Sequence, residues 1–476
     1  MRTLAMLASC LLVVGCGDSY DPHLPTITDV GGPHMTHPQL VPIFFSDDAG
    51  AERLTSFSQW VVTSRWLDEV GAEYGVGAGA VLGIVHQAVR SPDAITDAQI
   101  IDLLFQGLAD GSLPPPPAGD PGDALYMFYF PAHTVITSFG ATSCDAFAGY
   151  HDSARRDGVE VAYAVIASCG DFTGELTEVE VRELIASHEI IEAATDPLPS
   201  NRPGFQLRDR TSSWQVLGGE VADLCESTPS EIWREAGFVA QRSWSNTAAA
   251  GGDPCVPIPE GSRYYNVAAD RGPVPRIAPG GTKDFNLTGW STSTTSDWML
   301  LARGAVVGDA TLALADAQMN AGKATTLTVM VPATASKPSV LRLFVYSVFS
   351  NTDYQILPIR AIVDDPCSSF LGCAECSSHP GCGFCATSGR CETQGATGSA
   401  ESSCPASVFA TWPGSCPGFC AAHSGGCNEC ASQPGCGWCA TGAGPRCQEA
   451  SHDYAHPQGA ACGYADWSFT PAYCPL

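Results

Sequence analysis

Apolar positions in the first half of the chain fall into two patterns. Leu40 to Phe45, Ala124 to Phe130 and Val159 to Ala167 are short, nearly continuous apolar runs, which predict buried strands. Between them lie helical stripes. Glu52 to Tyr74 carries one through Leu54, Phe57, Trp60, Val61 and Leu67. Thr96 to Ala109 opens with Thr96 and Gln99 placed as a capping box, and the Pro/Gly-rich segment Leu113 to Pro121 ends it. Thr177 to Thr195 is the clearest helix, capped by Thr177 with Glu180 and stopped by Pro197. Residues 31–257 therefore read as one α/β domain.

From residue 258 the period shortens. Met299 to Ala302, Ala310 to Leu314, Thr325 to Val331, Val340 to Val348 and Gln355 to Val363 are β-rich runs, most of them separated by Gly/Ser/Thr/Asp turns. Residues 258–365 are expected to form a small antiparallel β-sandwich of Ig-like type, a spacer or adhesive module.

Residues 366–476 lose the aliphatic pattern and gain cysteines. Cys367, 373, 376, 382, 385, 391, 404 and 416 form one set, and Cys420, 427, 430, 436, 439, 447, 462 and 474 the next. Their steps of 6, 3, 6, 3, 6, 13, 12 and 7, 3, 6, 3, 8, 15, 12 match closely, which marks a tandem duplication over 366–417 and 418–476. Modules this small need staples. Two even sets in an exported chain favour disulfides, although C-x2-C pairs also occur in zinc sites. Gly381 to Cys385 and Gly435 to Cys439, each followed by Arg-Cys at 390–391 and 446–447, resemble the plexin-type cysteine-rich (PSI) repeat. In that family the repeat is a structural or binding module of cell-surface proteins, and its connectivity here is open.

The N-terminus bears on the compartment. Arg2, an apolar run from Leu4 to Val14, and Leu12-Val13-Val14-Gly15-Cys16 resemble a bacterial lipoprotein signal. Residues 1–15 would then be removed, Cys16 lipidated, and residues 16–30 left as a tether. A plain secretory signal is the alternative. Of the 22 cysteines, Cys144, Cys169, Cys225 and Cys255 remain for the first domain. Pairing 144–169 and 225–255 is the simplest arrangement, with others open.

Net charge is −27, and residues 1–257 hold 34 acidic against 12 basic residues. Polyanions such as nucleic acid are excluded as partners on this ground. The membrane enters only through a lipid at Cys16, and a protein or cell-wall polymer is the expected partner.

The candidate chemistry lies on the helix at Thr177 to Thr195. His188 and Glu192 stand one turn apart at the centre of its apolar face, with Glu189 at the edge. This H-E-x-x-E differs by one residue from the H-E-x-x-H of zinc proteases, where the first and last side chains bind zinc and the Glu is the base. His188 and Glu192 are thus candidate zinc ligands and Glu189 the candidate catalytic base. Glu220 and Asp223, three apart, are the best source of a further ligand, with Asp196 and His151 weaker ones. Calcium is the alternative ion if oxygens dominate. The competing reading is a buried His–Glu network, with Glu192 paired to Arg182 or Arg210.

Ser187 to Pro197, then Trp214 and Glu220-Val221-Ala222-Asp223-Leu224-Cys225-Glu226, resemble the signature of the EXORDIUM / phosphate-induced protein family and its bacterial relatives. Gly31-Gly32-Pro33, His37-Pro38, Val41 to Phe45, Ala148 to His151 and Tyr163 to Val165 extend the resemblance over about residues 30–257. It implies an extracellular domain linked to growth and cell-wall responses, with a zincin-like site at these residues, and it supplies no reaction. The expectation is a surface lipoprotein with a zinc-dependent, peptidase-like hydrolase domain. The alternative is a non-enzymatic surface binding protein whose acidic domain holds a structural cation.

Overall fold

The computed structural model describes residues 24–364, apart from 118–122, 139, 171–174, 210–211, 227–230, 271–273, 294–295, 306–309, 336–338 and 351–352, and stretches of 366–474. The signal segment, Cys16 and Arg210 lie outside the described residues. No described helix is long and apolar enough to cross a membrane. The chain is multidomain and mostly β, with several small sheets and few helices.

The first domain is built on a six-stranded mixed sheet. Gln39–Phe44, Ala124–Tyr129 and Val159–Ile166 run parallel, with Ala124–Tyr129 in the middle. Ala80–Val81 and Val85–His86 extend the parallel side beside Gln39–Phe44. Gly149–Arg156 closes the other edge, antiparallel to Val159–Ile166. The parallel strands are apolar on both faces because both are covered. Leu40, Phe44, Leu125, Met127, Ala162 and Ala164 face the helices Ala51–Val61, Arg65–Gly71 and Glu178–Thr195. Val41, Ile43, Tyr126, Phe128, Val161 and Val165 face Asp97–Asp110.

Two local expectations change. The stripe over Glu52 to Tyr74 is two helices, because the Ser64 hydroxyl accepts from the Leu67 amide and starts a new helix. The strand Gly149–Arg156 was not expected, since its sequence GYHDSARR is polar for a strand. Gly149 lets this strand lie on the helix: a Cβ there would stand 2.5 Å from Ile185 Cγ2 and 2.7 Å from Glu189 Oε1.

Residues 265–363 form a four-stranded and a five-stranded sheet packed on one core that includes Val267, Leu287, Leu327, Leu300, Leu343 and Ile359. All five expected strands are present to within a few residues. The further strands Tyr265–Ala269, Arg276–Ile277, Thr282–Ser291 and Gln318–Met319 complete the sheets.

Nine disulfides join described cysteines. Cys144 pairs with Cys169 and Cys225 with Cys255. In the first repeat the pairs are 367–382, 376–391 and 385–404. In the second they are 420–436, 430–447 and 439–462, with 427–474 as the fourth. The first–fourth, third–sixth and fifth–seventh connections recur, which supports a duplicated module independently of the spacing.

Candidate functional site

The helix Glu178–Thr195 forms where its capping box places it. Thr177 Oγ1 accepts from the Glu180 amide, and Glu180 Oε2 accepts from the Thr177 amide at 2.9 Å. Asp196 ends it, its amide donating to the Glu192 carbonyl. The helix is not amphipathic in place: from Val181 to Thr195 every residue but His188 is buried. The hairpin strand Phe238–Gln241 covers the side that the sequence assigns to solvent, through Val239 N to Glu183 Oε2 and Gln241 N to Ser187 Oγ. Glu189 is buried too, 4 % exposed, against Gly149 and His151 of the strand Gly149–Arg156.

His188 and Glu192 meet as expected, with His188 Nε2 3.0 Å from Glu192 Oε2. Asp223 Oδ1 lies 3.8 Å from the same nitrogen. Glu220 also turns into the cluster but meets a different group: its Oε2 is 3.7 Å from Nε2 of His151. His151, the weaker source by sequence, stands at the centre. Its Nδ1 is 3.4 Å from Glu189 Oε2 and 3.8 Å from Glu192 Oε2. Asp196 offers His151 its backbone carbonyl at 3.1 Å, while its carboxylate accepts from Gly204 N and Gln206 Nε2. Arg182 does not reach the cluster, because both ends of its guanidinium go to Asp48.

The surroundings fix how each imidazole presents itself. Gln241 Nε2 donates to the Ala222 carbonyl, so its Oε1, 3.0 Å from His188 Nδ1, is an acceptor. His188 Nδ1 then carries the proton, and Nε2 faces Glu192 and Asp223. The Asp196 carbonyl likewise takes the Nε2 proton of His151 and turns Nδ1 toward Glu189 and Glu192. Glu192 Oε1 accepts from the amides of Ala222 and Asp223 at 3.1 and 3.0 Å, leaving Oε2 for the imidazoles. Gly218 holds the loop in a positive-φ conformation, and Asp223 Oδ2 receives the Gly219 and Glu220 amides. The disulfide at Cys225 pins the end of this loop to Cys255.

Carboxylates outnumber imidazoles here, and the first 282 residues contain no lysine. The charges therefore act on one another. Burial opposes charge on His151, yet Glu220, Glu189 and Glu192 outweigh it and push the imidazole up to about 10. Burial likewise opposes charge on His188, and Glu192 with Glu189 and Asp223 overcomes it and raises the group well above its usual range. Burial would raise Glu192, but His188 and His151 hold it down at about 2. Burial and the Glu192 charge push Asp223 up to about 8, and burial raises Glu220 and Glu226. Two groups of these side chains have ligand atoms within 4.8 Å of one another: His151, Glu189, Glu192 and His188, Glu192, Asp223. They could hold a metal ion.

Without metal, these shifts set a pH dependence. Asp223 binds its proton more tightly folded than unfolded, so its contribution falls from about pH 4 to about pH 8. His151 loses its contribution between about pH 6.5 and about pH 10. Chelator-treated protein is therefore expected to unfold more easily as pH rises from about 6 to about 10. Zinc should flatten that slope, because ligands that bind the ion no longer bind protons. Urea unfolding midpoints at several pH values, with and without zinc, check both points.

No family model matches the chain, and no curated protein matches it. Among solved structures it is similar to the crystal structure of the S-layer protein SbsC domains 4 and 5, at 13 % identity and a TM-score of 0.16. The match covers 21 % of this chain and about half, 53 %, of that one. An overlap this small carries no inference about fold or function.

Proposed function

We propose that residues 31–257 form a zinc-dependent, peptidase-like hydrolase domain of an exported lipoprotein anchored through Cys16. The two-sheet domain, read as Ig-like, and the PSI-like repeats would present it at the cell surface to a protein or wall polymer. The observation that carries this reading is the convergence of His188 Nε2 and His151 Nδ1 on a single Glu192 oxygen in a buried surplus of carboxylate. Such a surplus needs cations or protons to be stable. The helix lying across a mixed sheet, with H-E-x-x-E at the sheet's antiparallel edge, supports a zincin-like arrangement and the EXORDIUM resemblance. Disulfides in the first domain and in both repeats fit an oxidising compartment.

Bound zinc supplies Lewis acidity toward a carbonyl and a water. His188, Glu192 and Asp223 hold the ion, and Gln241 keeps His188 in the tautomer that binds. Glu189, buried beside His151, would be the base that takes up the water's proton.

Full-length protein purified without chelator is expected to retain zinc and to lose the ion held by His188 on His188→Ala. Protein that carries no metal and gains no thermal stability from added zinc returns the cluster to a buried ion-pair network. Calcium in place of zinc would favour the second reading, a non-enzymatic binding protein with a structural cation, which the excess of carboxylate oxygens supports. Cys16→Ala is separately expected to move the protein from the membrane to the soluble fraction without unfolding it. Retention in membranes would place the anchor elsewhere.

A further inference from the structure

We propose that the cluster holds two divalent cations, the second bound by His151 Nδ1, Glu189 Oε2 and Glu192 Oε2. This rests on the first ion lying at His188, Glu192 and Asp223. Each of these triads has its ligand atoms within 4.8 Å, and among the described residues no such group contains both His151 and His188. An ion with bonds of about 2.1 Å has its ligands no more than about 4.2 Å apart. One ion therefore does not take both imidazoles as they stand, although each has its second nitrogen engaged and its free nitrogen turned inward.

In the second triad both distances from His151 are within the reach of one ion. His151 Nδ1 is 3.4 Å from Glu189 Oε2 and 3.8 Å from Glu192 Oε2. Ligands around zinc stand about 3.0 to 3.4 Å apart, so small movements complete the sphere. The triads share Glu192, and its Oε1 is already taken by two backbone amides. The shared atom is thus Oε2, a one-oxygen bridge of the kind that holds paired ions about 3.5–4 Å apart.

Charge agrees with the count. With neutral imidazoles, Glu189, Glu192, Glu220 and Asp223 carry four negative charges that face the two histidines. One divalent ion leaves two of them to be matched by protons, and a second ion takes the place of those protons. Glu189 then binds an ion through Oε2, which leaves only Oε1 to take a proton.

The test is the number of zinc ions bound by chelator-stripped full-length protein after dialysis against zinc. Two per chain are expected for the wild type, and one each for His151→Ala, His188→Ala and Glu189→Gln. Glu189→Gln keeps the shape of the side chain and decides the matter if His151→Ala does not fold. One ion in the wild type overturns the second site and leaves the first. No ion overturns both. Two ions retained in His151→Ala, or in Glu189→Gln, overturn the placement, and loss of hydrolysis by Glu189→Gln with both ions kept makes Glu189 a base alone.

Discussion

Glu192→Gln is expected to abolish zinc-dependent stabilisation and to weaken the metal-free protein as well, because it removes the charge set against His188 and His151. The two Glu192 oxygens have different work. Oε1 accepts from the amides of Ala222 and Asp223, and a carboxamide oxygen accepts those bonds equally well. Oε2 sits 3.0 Å from His188 Nε2, and a carboxamide NH2 there donates only to the neutral imidazole, so the variant gives up the charged pair. The hydrogen bonds survive; the negative charge and the metal-binding oxygen do not.

An ion present at a hundred times its dissociation constant stabilises the folded state by about 2.7 kcal/mol, and the variant should lose that whole increment. Glu192→Ala should lose it too, and should weaken the metal-free protein by about 1–3 kcal/mol more than Glu192→Gln does, by orphaning two buried amides. Thermal unfolding of wild type and both variants, with zinc and with chelator, separates these effects. If Glu192→Gln lowers stability by no more with zinc than with chelator, Glu192 is only the counter-ion of the two histidines and no metal ligand.

Local signals in the sequence were enough to place the helix and the parallel strands. Thr177 and Glu180 cap the helix by contacts within one turn, and the apolar runs at 40–45, 124–130 and 159–167 need burial on both faces wherever they sit. His151 was harder to see. It reaches the site only because Gly149–Arg156 pairs back on Val159–Ile166 with His151 opposite Ala164. That register depends on a turn and on a glycine that clears Ile185, not on any periodicity. The block Ala148 to His151 belongs to the EXORDIUM resemblance and was the one available hint. Gln241 gave no signal at all, since it acts through a hairpin 53 residues beyond His188. The same hairpin explains why the helix has no wet face. Sequential cysteine pairing matched the structure in the first domain, whereas the crossed pairs of the repeats depend on how each module folds.

Arg182→Ala and Asp48→Ala are each expected to cost about 3–5 kcal/mol, because each leaves a buried charge without its partner. Arg182 Nη1 and Nη2 donate to the two Asp48 oxygens at 2.8 and 2.6 Å, and the side chains are 3 % and 1 % exposed. The loop closes over the guanidinium so tightly that a Cβ on Gly50 would stand 2.8 Å from Nη1. Tyr129 of the central strand lies 5.7 Å from the other side. This pair therefore ties the site helix, six residues before His188, to the segment that follows the first parallel strand. Replacing both partners together, as Arg182→Met with Asp48→Leu, removes the orphaned charge and should recover most of the loss. Urea unfolding of the first domain, followed by its buried tryptophans Trp66 and Trp244, measures the shift in midpoint. Single variants that lose less than about 1 kcal/mol would mean that water reaches the freed charge. In that case the anchoring of the helix would fall to Arg53 and Glu183, whose bond reaches the same helix one residue further on.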